Sequence, residues 1–227
     1  GAVMNQITLS PFANFSSSVP WGLWVAVYVW LIGISCGAFF LAMLGNARGI
    51  ANLKKITDLA ISLSLAALSA GLLSILVDLG HIERFPKLFF EPAFSSVMAW
   101  MVWLYNLYFV ILLAGLFLVK KEIPKWFSYG GAVFALLVIS AESLLFALPP
   151  GRIWHSWIFS VHFVVSSLAA GSAMLVVFGV ILKKWLNKDY IDSVFAVCKA
   201  LILFLLLDLA LSFMEMSHIK TDLIPIV

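Results

Sequence analysis

Residues 21–44 read WGLWVAVYVWLIGISCGAFFLAML, a run of 24 residues that contains no Asp, Glu, Lys or Arg. An α-helix needs about 20 predominantly apolar residues to cross the hydrocarbon core of a bilayer. Because lipid offers backbone N–H and C=O groups no partner, such a run crosses as a helix whose hydrogen bonds are internal. The run therefore predicts a transmembrane helix, and Tyr28 stands out as its large polar side chain about two turns inside one end.

Five further apolar segments of similar length follow this run. They lie at residues 56–79, 95–119, 126–148, 156–182 and 193–217. The gaps between them are short and hold residues that break helices, such as Pro86, Pro124 and the Pro149-Pro150-Gly151 sequence. The predicted fold class is therefore all-α, a polytopic transmembrane bundle of six spans.

The amino-acid composition also predicts a membrane protein. Of the 227 residues, 63% are hydrophobic and only 11% are charged, and the mean hydropathy is +1.09. A soluble domain carries about 25% charged residues, so this chain cannot cover a surface that faces water. The net charge of +3 gives no indication of a nucleic-acid partner, and the expected surroundings are a lipid bilayer.

The basic residues predict the orientation of the spans. Cytoplasmic loops of membrane proteins carry an excess of Lys and Arg. The first, third and fifth loops hold nine of them: Arg48, Lys54, Lys55, Lys120, Lys121, Lys125, Lys183, Lys184 and Lys188. The opposite side holds four: Arg84, Lys87, Arg152 and Lys220. We therefore expect a multi-pass protein of the inner (cytoplasmic) membrane, with both termini outside.

Ionisable side chains within the spans cluster at one end of the predicted bundle. An ionisable group at bilayer depth is costly, so each is a functional hypothesis by default. With the topology above, nearly all of them fall in the outer half: Asp78, His81, Glu142, His155, His162, Asp208, Glu215 and His218. This one-sided distribution indicates a site reached from the outer face rather than a pore through the membrane.

The spacing of these groups favours proton chemistry. Asp78 and His81 are three residues apart and share a helix face. A carboxylate beside an imidazole is a proton-accepting pair whose protonation states influence each other. A hydroquinone hydroxyl needs such an acceptor, because it loses a proton as it loses electrons.

Simpler interpretations stay open at individual positions. His81 and His155 can also lie simply at the level of the lipid headgroups, and Glu215 and His218 at the membrane interface. His162 can be a core histidine that hydrogen-bonds to a neighbouring helix. Asp78 can instead make a structural contact with Arg84 across the end of its span. The small-residue stretches 33–37 and 169–173 indicate close helix packing.

Several motifs, in this order, resemble the polysulfide reductase/NrfD family of membrane subunits. They are PWGLW at 20–24 with LIGISCG at 31–37, DLGHIERF at 78–85, FSSVMAW at 94–100, and WHSW at 154–157 with FVVSSLAAG at 163–171. Asp208 falls where many members carry an acidic residue. The resemblance covers about residues 20–217, and it is the ordered set of motifs that makes it specific.

This resemblance implies a quinone-reactive membrane subunit, not catalytic alone, that carries no haem or metal of its own. Members oxidise quinol or reduce quinone, menaquinone or ubiquinone, near the outer membrane face. They exchange electrons with a ferredoxin-like iron–sulfur subunit, which serves a catalytic molybdopterin or multihaem cytochrome subunit. The implied organisation is an outer tail at 1–19, a four-helix bundle at 20–150 that forms the quinone pocket, and two further spans at 151–227.

The expected site follows from the depth of the polar residues together with this resemblance. We expect Tyr28, Asp78, His81 and Glu142 to bind the quinone, with Asp78 and His81 as the catalytic proton acceptors. His162 and Asp208 are the candidate proton relay.

The chain departs from the family pattern in three places. Members usually have eight or more spans, and six are predicted here. Many members have a tyrosine in the fourth span, where this chain reads Ser140-Ala-Glu142, and polysulfide reductase has a histidine in the first span where this chain has Tyr28. Tyr28 and Glu142 are therefore expected to substitute as hydrogen-bonding groups.

Two other classes of membrane protein compete with this interpretation. A haem b cytochrome needs axial ligands, commonly His, and the placement of all 4 histidines in the outer half or outer loops allows one haem at most. A secondary transporter tends to place its site at the midplane on interrupted helices. The polar groups here lie away from the midplane, and the sequence shows no convincing internal repeat.

Overall fold

The structure, a computed structural model, describes residues 22–78, 97–147, 157–186 and 191–223. For Asp78 and for residues 97–99, 183–186 and 218–223 it describes the backbone alone. Every regular element in these ranges is helical. The α-helices are α1 (Leu23–Ala47), α2 (Ala51–Lys55), α3 (Thr57–Asp78), α4 (Val97–Leu118), α5 (Lys125–Ala147), α6 (Trp157–Leu186) and α7 (Ile191–Leu223), with a 3₁₀ turn at Val119–Lys121.

The six-span prediction is confirmed. Within the described ranges, six helices are long and apolar enough to cross a membrane: α1, α3, α4, α5, α6 and α7. Their ends agree with the predicted spans to within a few residues, apart from α7, which continues to Leu223. The protein is therefore a multi-pass helical membrane protein.

Helix α1 lies at the centre of the bundle, with 14 of its 25 residues buried. It packs against α3, α5 and α6. A helix that is apolar on every side is suited to such a position because each face meets another helix. Helix α1 is thus the helix around which α3, α5 and α6 pack.

Helices α4 and α7 occupy the outside of the bundle. Helix α4 packs mainly against α3 and α5, and α7 mainly against α6. Among the described side chains of α7, only Ser193 and Val197 are buried. The long apolar face of α7 therefore points away from the described helices.

The predicted close packing of small residues is confirmed where α1 crosses α6. A Cβ atom added to Gly37 would lie 2.2 Å from the carbonyl oxygen of Ser167. One added to Gly171 would lie 2.3 Å from the backbone nitrogen of Ala38. The two backbones touch at this level, and the absence of side chains lets them approach as in other membrane helix pairs.

A glycine turn ends α1 and starts a short helix that the apolar pattern does not predict. Gly49 has a φ of 69°, its N–H donates to the carbonyl of Asn46 at 3.1 Å, and the N–H of Ile50 donates to that of Gly45 at 2.9 Å. This is the hydrogen-bond pattern of a Schellman cap, which needs a left-handed residue. The chain then forms α2. This helix is too short and too basic to appear as an apolar segment in the sequence.

Candidate functional site

A buried carboxylate lies between three helices near the end of the bundle where α1 begins. Glu142 of α5 is 0% exposed. The Tyr28 hydroxyl of α1 donates to its Oε2 at 3.0 Å, and the Tyr105 hydroxyl of α4 also donates to Oε2. The two hydroxyl oxygens also lie in contact with each other, and the rings meet edge to face with their centroids 6.1 Å apart. We call these three residues the tyrosine–carboxylate site.

The second oxygen of this carboxylate has no partner. Oε1 of Glu142 is buried and makes no hydrogen bond. A buried polar atom without a partner costs roughly 1–3 kcal/mol, and such atoms in native proteins are rare enough to need an explanation. A proton on Oε1, a water or a ligand that donates a hydrogen bond would each remove the cost, so Oε1 marks where this site can take up a proton or a ligand donor.

The backbone arrangement explains how three helices bring these groups together. Helix α3 lies close beside α1 at this level, since a Cβ added to Gly71 would be 3.4 Å from the carbonyl oxygen of Tyr28. Helix α4 packs on α3 and α5 rather than directly on α1. The long phenol side chain of Tyr105 crosses that gap, and its polar tip needs a partner once it is buried.

A second tyrosine of α4 closes the interior next to the site. Tyr108, one turn after Tyr105, is 0% exposed, and its hydroxyl donates to the carbonyl oxygen of Ser35 at 3.2 Å. The Ser35 hydroxyl donates to the carbonyl oxygen of Ser64 on α3 at 2.8 Å. These hydrogen bonds satisfy the polar groups of this layer, and the ring of Tyr108 packs against Phe39 and Phe134. The bundle is therefore closed at this level, further along α1 than the site.

Another polar cluster joins α6 to α7. His162 lies between two carboxylates, with its Nδ1 2.8 Å from Oε2 of Glu215 and its Nε2 3.2 Å from Oδ1 of Asp208. The Ser166 hydroxyl donates to Asp208, and the Ser212 hydroxyl lies 3.2 Å from Nε2 of His162. We call these five residues the histidine cluster. The side chains of His162, Asp208 and Glu215 keep 22%, 27% and 20% of their surface exposed.

The two ring nitrogens of His162 face carboxylates on opposite sides of the imidazole. Both ring nitrogens therefore have carboxylate partners within hydrogen-bond or ion-pair distance. The side chains of His162, Asp208 and Glu215 do not point to a common centre. Among the described residues, no group of His, Cys, Asp and Glu is arranged to hold a metal ion. His162 is the one histidine whose side chain the structure describes, and neither of its nitrogens is left to serve as an axial haem ligand.

The structure brings together two of the predicted sets of residues. Tyr28 and Glu142 are in direct contact, and His162 and Asp208 are paired. Asp78 is the last residue of α3, seven residues beyond Gly71. At 1.5 Å per residue its backbone lies roughly 10 Å further toward that end of the bundle than Gly71, which packs beside Tyr28. His81 lies outside the described residues, so the Asp78–His81 acceptor pair stays a prediction.

Sequence reasoning missed Tyr105. The signal was present, because Tyr105 and Tyr108 are three residues apart in an otherwise strongly apolar span and so share one helix face. A buried tyrosine needs a hydrogen-bond partner, and the buried Glu142 needs donors. Pairing these two requirements across the spans would have pointed to the contact.

Fold and site together define a class: a polytopic helical membrane protein with a buried tyrosine–carboxylate site among its first four spans. The chain belongs to the NrfD polysulphide reductase family, since the family model described as "Polysulphide reductase, NrfD" matches residues 12–221. The resemblance inferred from the motifs is thereby confirmed.

Two curated relatives are similar over part of their length. The chain is 30% identical over 168 residues to the "Hdr-like menaquinol oxidoreductase integral membrane subunit" of Archaeoglobus fulgidus, covering 71% of this chain and 42% of that protein. It is 32% identical over 114 residues to a selenate reductase subunit of Mesobacillus selenatarsenatis, covering 50% of this chain and 26% of that protein. The chain thus spans less than half the length of either relative.

Proposed function

We propose that this chain is the quinone-reactive membrane subunit of a respiratory oxidoreductase complex, and that the quinone head binds at the tyrosine–carboxylate site. The observation that carries the proposal is the buried Glu142, which accepts two tyrosine hydrogen bonds through Oε2 and leaves Oε1 unpartnered. The family and the relative named as a menaquinol oxidoreductase subunit support the same role.

The donor set fits a quinone or quinol. A quinol supplies two electrons and two protons when it is oxidised, and its hydroxyls are hydrogen-bond donors. Oε1 of Glu142 accepts such a donor and then holds its proton, while the hydroxyls of Tyr28 and Tyr105 stabilise the carboxylate and orient the head. Burial at 0% exposure excludes bulk water, which strengthens each of these interactions.

Protons must then leave the site toward water. The sequence predicts Asp78 and His81 as quinone-binding residues and catalytic proton acceptors. We propose instead that they take the proton on from Glu142, because α3 runs from the level of Tyr28 toward the end of the bundle at Asp78. His162 and Asp208 form the second part of the route, with Glu215 as an additional carboxylate. Their side chains are partly exposed, unlike that of Glu142, so a proton can leave them without crossing the packed interior.

The membrane and the partner subunits complete the proposal. We place the chain in the inner membrane with both termini outside, from the distribution of basic residues. Labelling of a cysteine introduced at the exposed Asn52 from the outer side would contradict that orientation. The outer face, including the loop at 81–94, is proposed to dock a ferredoxin-like iron–sulfur subunit that connects to a molybdopterin or multihaem catalytic subunit.

Replacing the carboxylate tests the function. In membranes that contain the assembled complex, Glu142→Gln keeps the size of the side chain and one oxygen that accepts from the tyrosines, but it removes the second acceptor and the ability to take a proton. We expect quinol-dependent reduction of the iron–sulfur clusters to fall roughly 10²–10⁴-fold, as for loss of a general base. The matched control is Glu122→Gln, the same change in the exposed connection before α5. A wild-type rate in Glu142→Gln, with the complex intact, would refute the proposed site.

A further inference from the structure

A wedge-shaped groove opens between α1 and α6 beside the tyrosine–carboxylate site. It has a volume of about 430 Å³, within the range of roughly 300–1,000 Å³ typical of small-molecule sites. Helices α1 and α6 touch at Gly37 and Gly171, and the groove lies on the side of this crossing where α1 begins. The exposed Trp30 stands at its edge, and Phe146 of α5 forms part of its wall.

The chemistry of the walls selects an apolar occupant. Apart from two serines and the Trp30 indole, the walls are aliphatic, aromatic or glycine. Both serine hydroxyls are already used as donors, Ser166 to Asp208 and Ser167 to the carbonyl oxygen of Phe163 at 2.8 Å. A quinone carbonyl or a phosphate placed here would find little to replace its hydration, whereas a hydrocarbon chain loses nothing.

Two helices carry both wall residues of the groove and residues of the tyrosine–carboxylate site. Val25 precedes Tyr28 by three residues on α1, and Phe146 follows Glu142 by four residues on α5. Residues three or four apart are neighbours on a helix surface, and both Val25 and Phe146 line the groove. A chain attached to a head at Tyr28 and Glu142 would thus pass one helical turn along both helices and enter the groove.

We propose that this groove holds the isoprenoid tail of the quinone whose head occupies the tyrosine–carboxylate site. This inference rests on the proposed function. The stacked rings of Phe146 and Phe163, 6.1 Å apart, form the wall that the first part of the tail follows. The groove guides the tail from the membrane to the head site, past the small side chains of α1 that line it.

Photolabelling tests the proposal on the intact complex in phosphatidylethanolamine and phosphatidylglycerol nanodiscs. The two probes are naphthoquinones with a two-isoprene tail, one carrying a diazirine on the ring and the other a diazirine on the second isoprene unit. We expect the tail probe to label residues of the groove walls in 22–33 and 163–170, and the ring probe to label peptides with Tyr105 or Glu142. An excess of unlabelled quinone should suppress both.

A variant that fills the groove adds an independent readout. Ala26 is exposed and lines the groove, so Ala26→Phe should block tail labelling without burying a clash. Since the tail leaves lipid that is as apolar as the groove, only packing is lost, and we expect KM for the two-isoprene quinol to rise about threefold to tenfold. The value for kcat, and all constants for a tailless quinol, should stay unchanged. Ala66→Phe, at an exposed alanine of α3 outside the groove, is the matched control, and Ala170→Phe is the second groove variant.

Each contrary result has a separate meaning. Tail labels that map outside the groove while ring labels map to the site would overturn the groove and leave the proposed function standing. A phospholipid with a diazirine in its acyl chain that labels the groove, undisplaced by quinone, would identify a lipid chain as the occupant and overturn the inference. Absence of quinone-protected labelling by either probe would overturn both proposals.

Discussion

Glu142 is sealed among three helices with two tyrosine donors, whereas His162, Asp208 and Glu215 lie between α6 and α7 with about a fifth to a quarter of their surfaces exposed. The tyrosine–carboxylate site depends on residues far apart in sequence, and one carboxylate oxygen is left unsatisfied. The histidine cluster pairs an imidazole with two carboxylates on neighbouring helices. The difference indicates that the first can take a ligand or proton within the bundle, whereas the second lies at the bundle surface with its hydrogen-bond partners already in place.

Among variants that keep Glu142, the largest expected effect comes from removing both tyrosine donors of the sealed site. In Tyr28→Phe or Tyr105→Phe alone, the other hydroxyl still reaches Glu142, so we expect quinol oxidation to fall about tenfold. In the double variant the carboxylate has neither donor, and the loss should be about 10²–10³-fold. Steady-state rates in membranes with matched amounts of assembled complex measure this. Equal rates for the double variant and the better single variant would mean that the two hydroxyls do not act on Glu142 together.

The stability of the protein should be sensitive to a single methyl group added at the α1–α6 crossing. This crossing joins α1, which carries Tyr28, to α6, which carries His162. Gly171→Ala places a Cβ against the backbone of α1 and should cost about 1–3 kcal/mol of stability through overpacking. Gly130→Ala is the matched control, because nothing lies within 4 Å of its added Cβ, and it should be neutral or stabilising by up to about 1 kcal/mol. Unfolding followed by tryptophan fluorescence in detergent compares the two. Equal stability would show that the helices separate without cost and that the close contact is not needed.

The smallest effect is expected in the histidine cluster. His162→Leu removes the group between the two carboxylates, but Asp208 keeps the Ser166 donor and both carboxylates stay partly exposed at the bundle surface, so they can still take up protons. We therefore expect quinol oxidation to slow only about threefold to tenfold, at the low end of general acid–base effects. Val161→Leu, on the adjacent exposed face, is the control. An unchanged rate would remove His162 from the proton route, and a loss of 10²-fold or more would make the cluster an obligatory part of it.

The sequence was sufficient to predict the six spans because each depends on a local property, a run of about 20 apolar residues. It was also sufficient to select Glu142 and Tyr28, since polar side chains within such runs are costly and few. It could not pair them with Tyr105, because that contact depends on how α4 is rotated and how far it stands from α1. A single sequence carries no direct record of either quantity.

The same limit applies to the histidine cluster in a milder form. His162 and Asp208 were predicted as a relay from their depth, and α6 and α7 are consecutive helices, which tend to lie side by side. The sequence also allows an interfacial position for Glu215, yet its Oε2 lies 2.8 Å from Nδ1 of His162. Glu215 is two turns from Asp208 on the same face of α7. Helix periodicity is therefore sufficient to predict that both carboxylates face the helix that carries His162.

The central position of α1 has a consequence for the order in which the protein is made. Translation releases α1 before the other spans. A helix without charged residues is tolerated in lipid before its partner helices arrive, because it exposes no unpaired charge. Tyr28 meets Tyr105 and Glu142 only after 77 and 114 further residues have been synthesised. Glu142 therefore enters the membrane when α1 already stands there to receive it, and each later costly carboxylate arrives beside a helix that was inserted earlier.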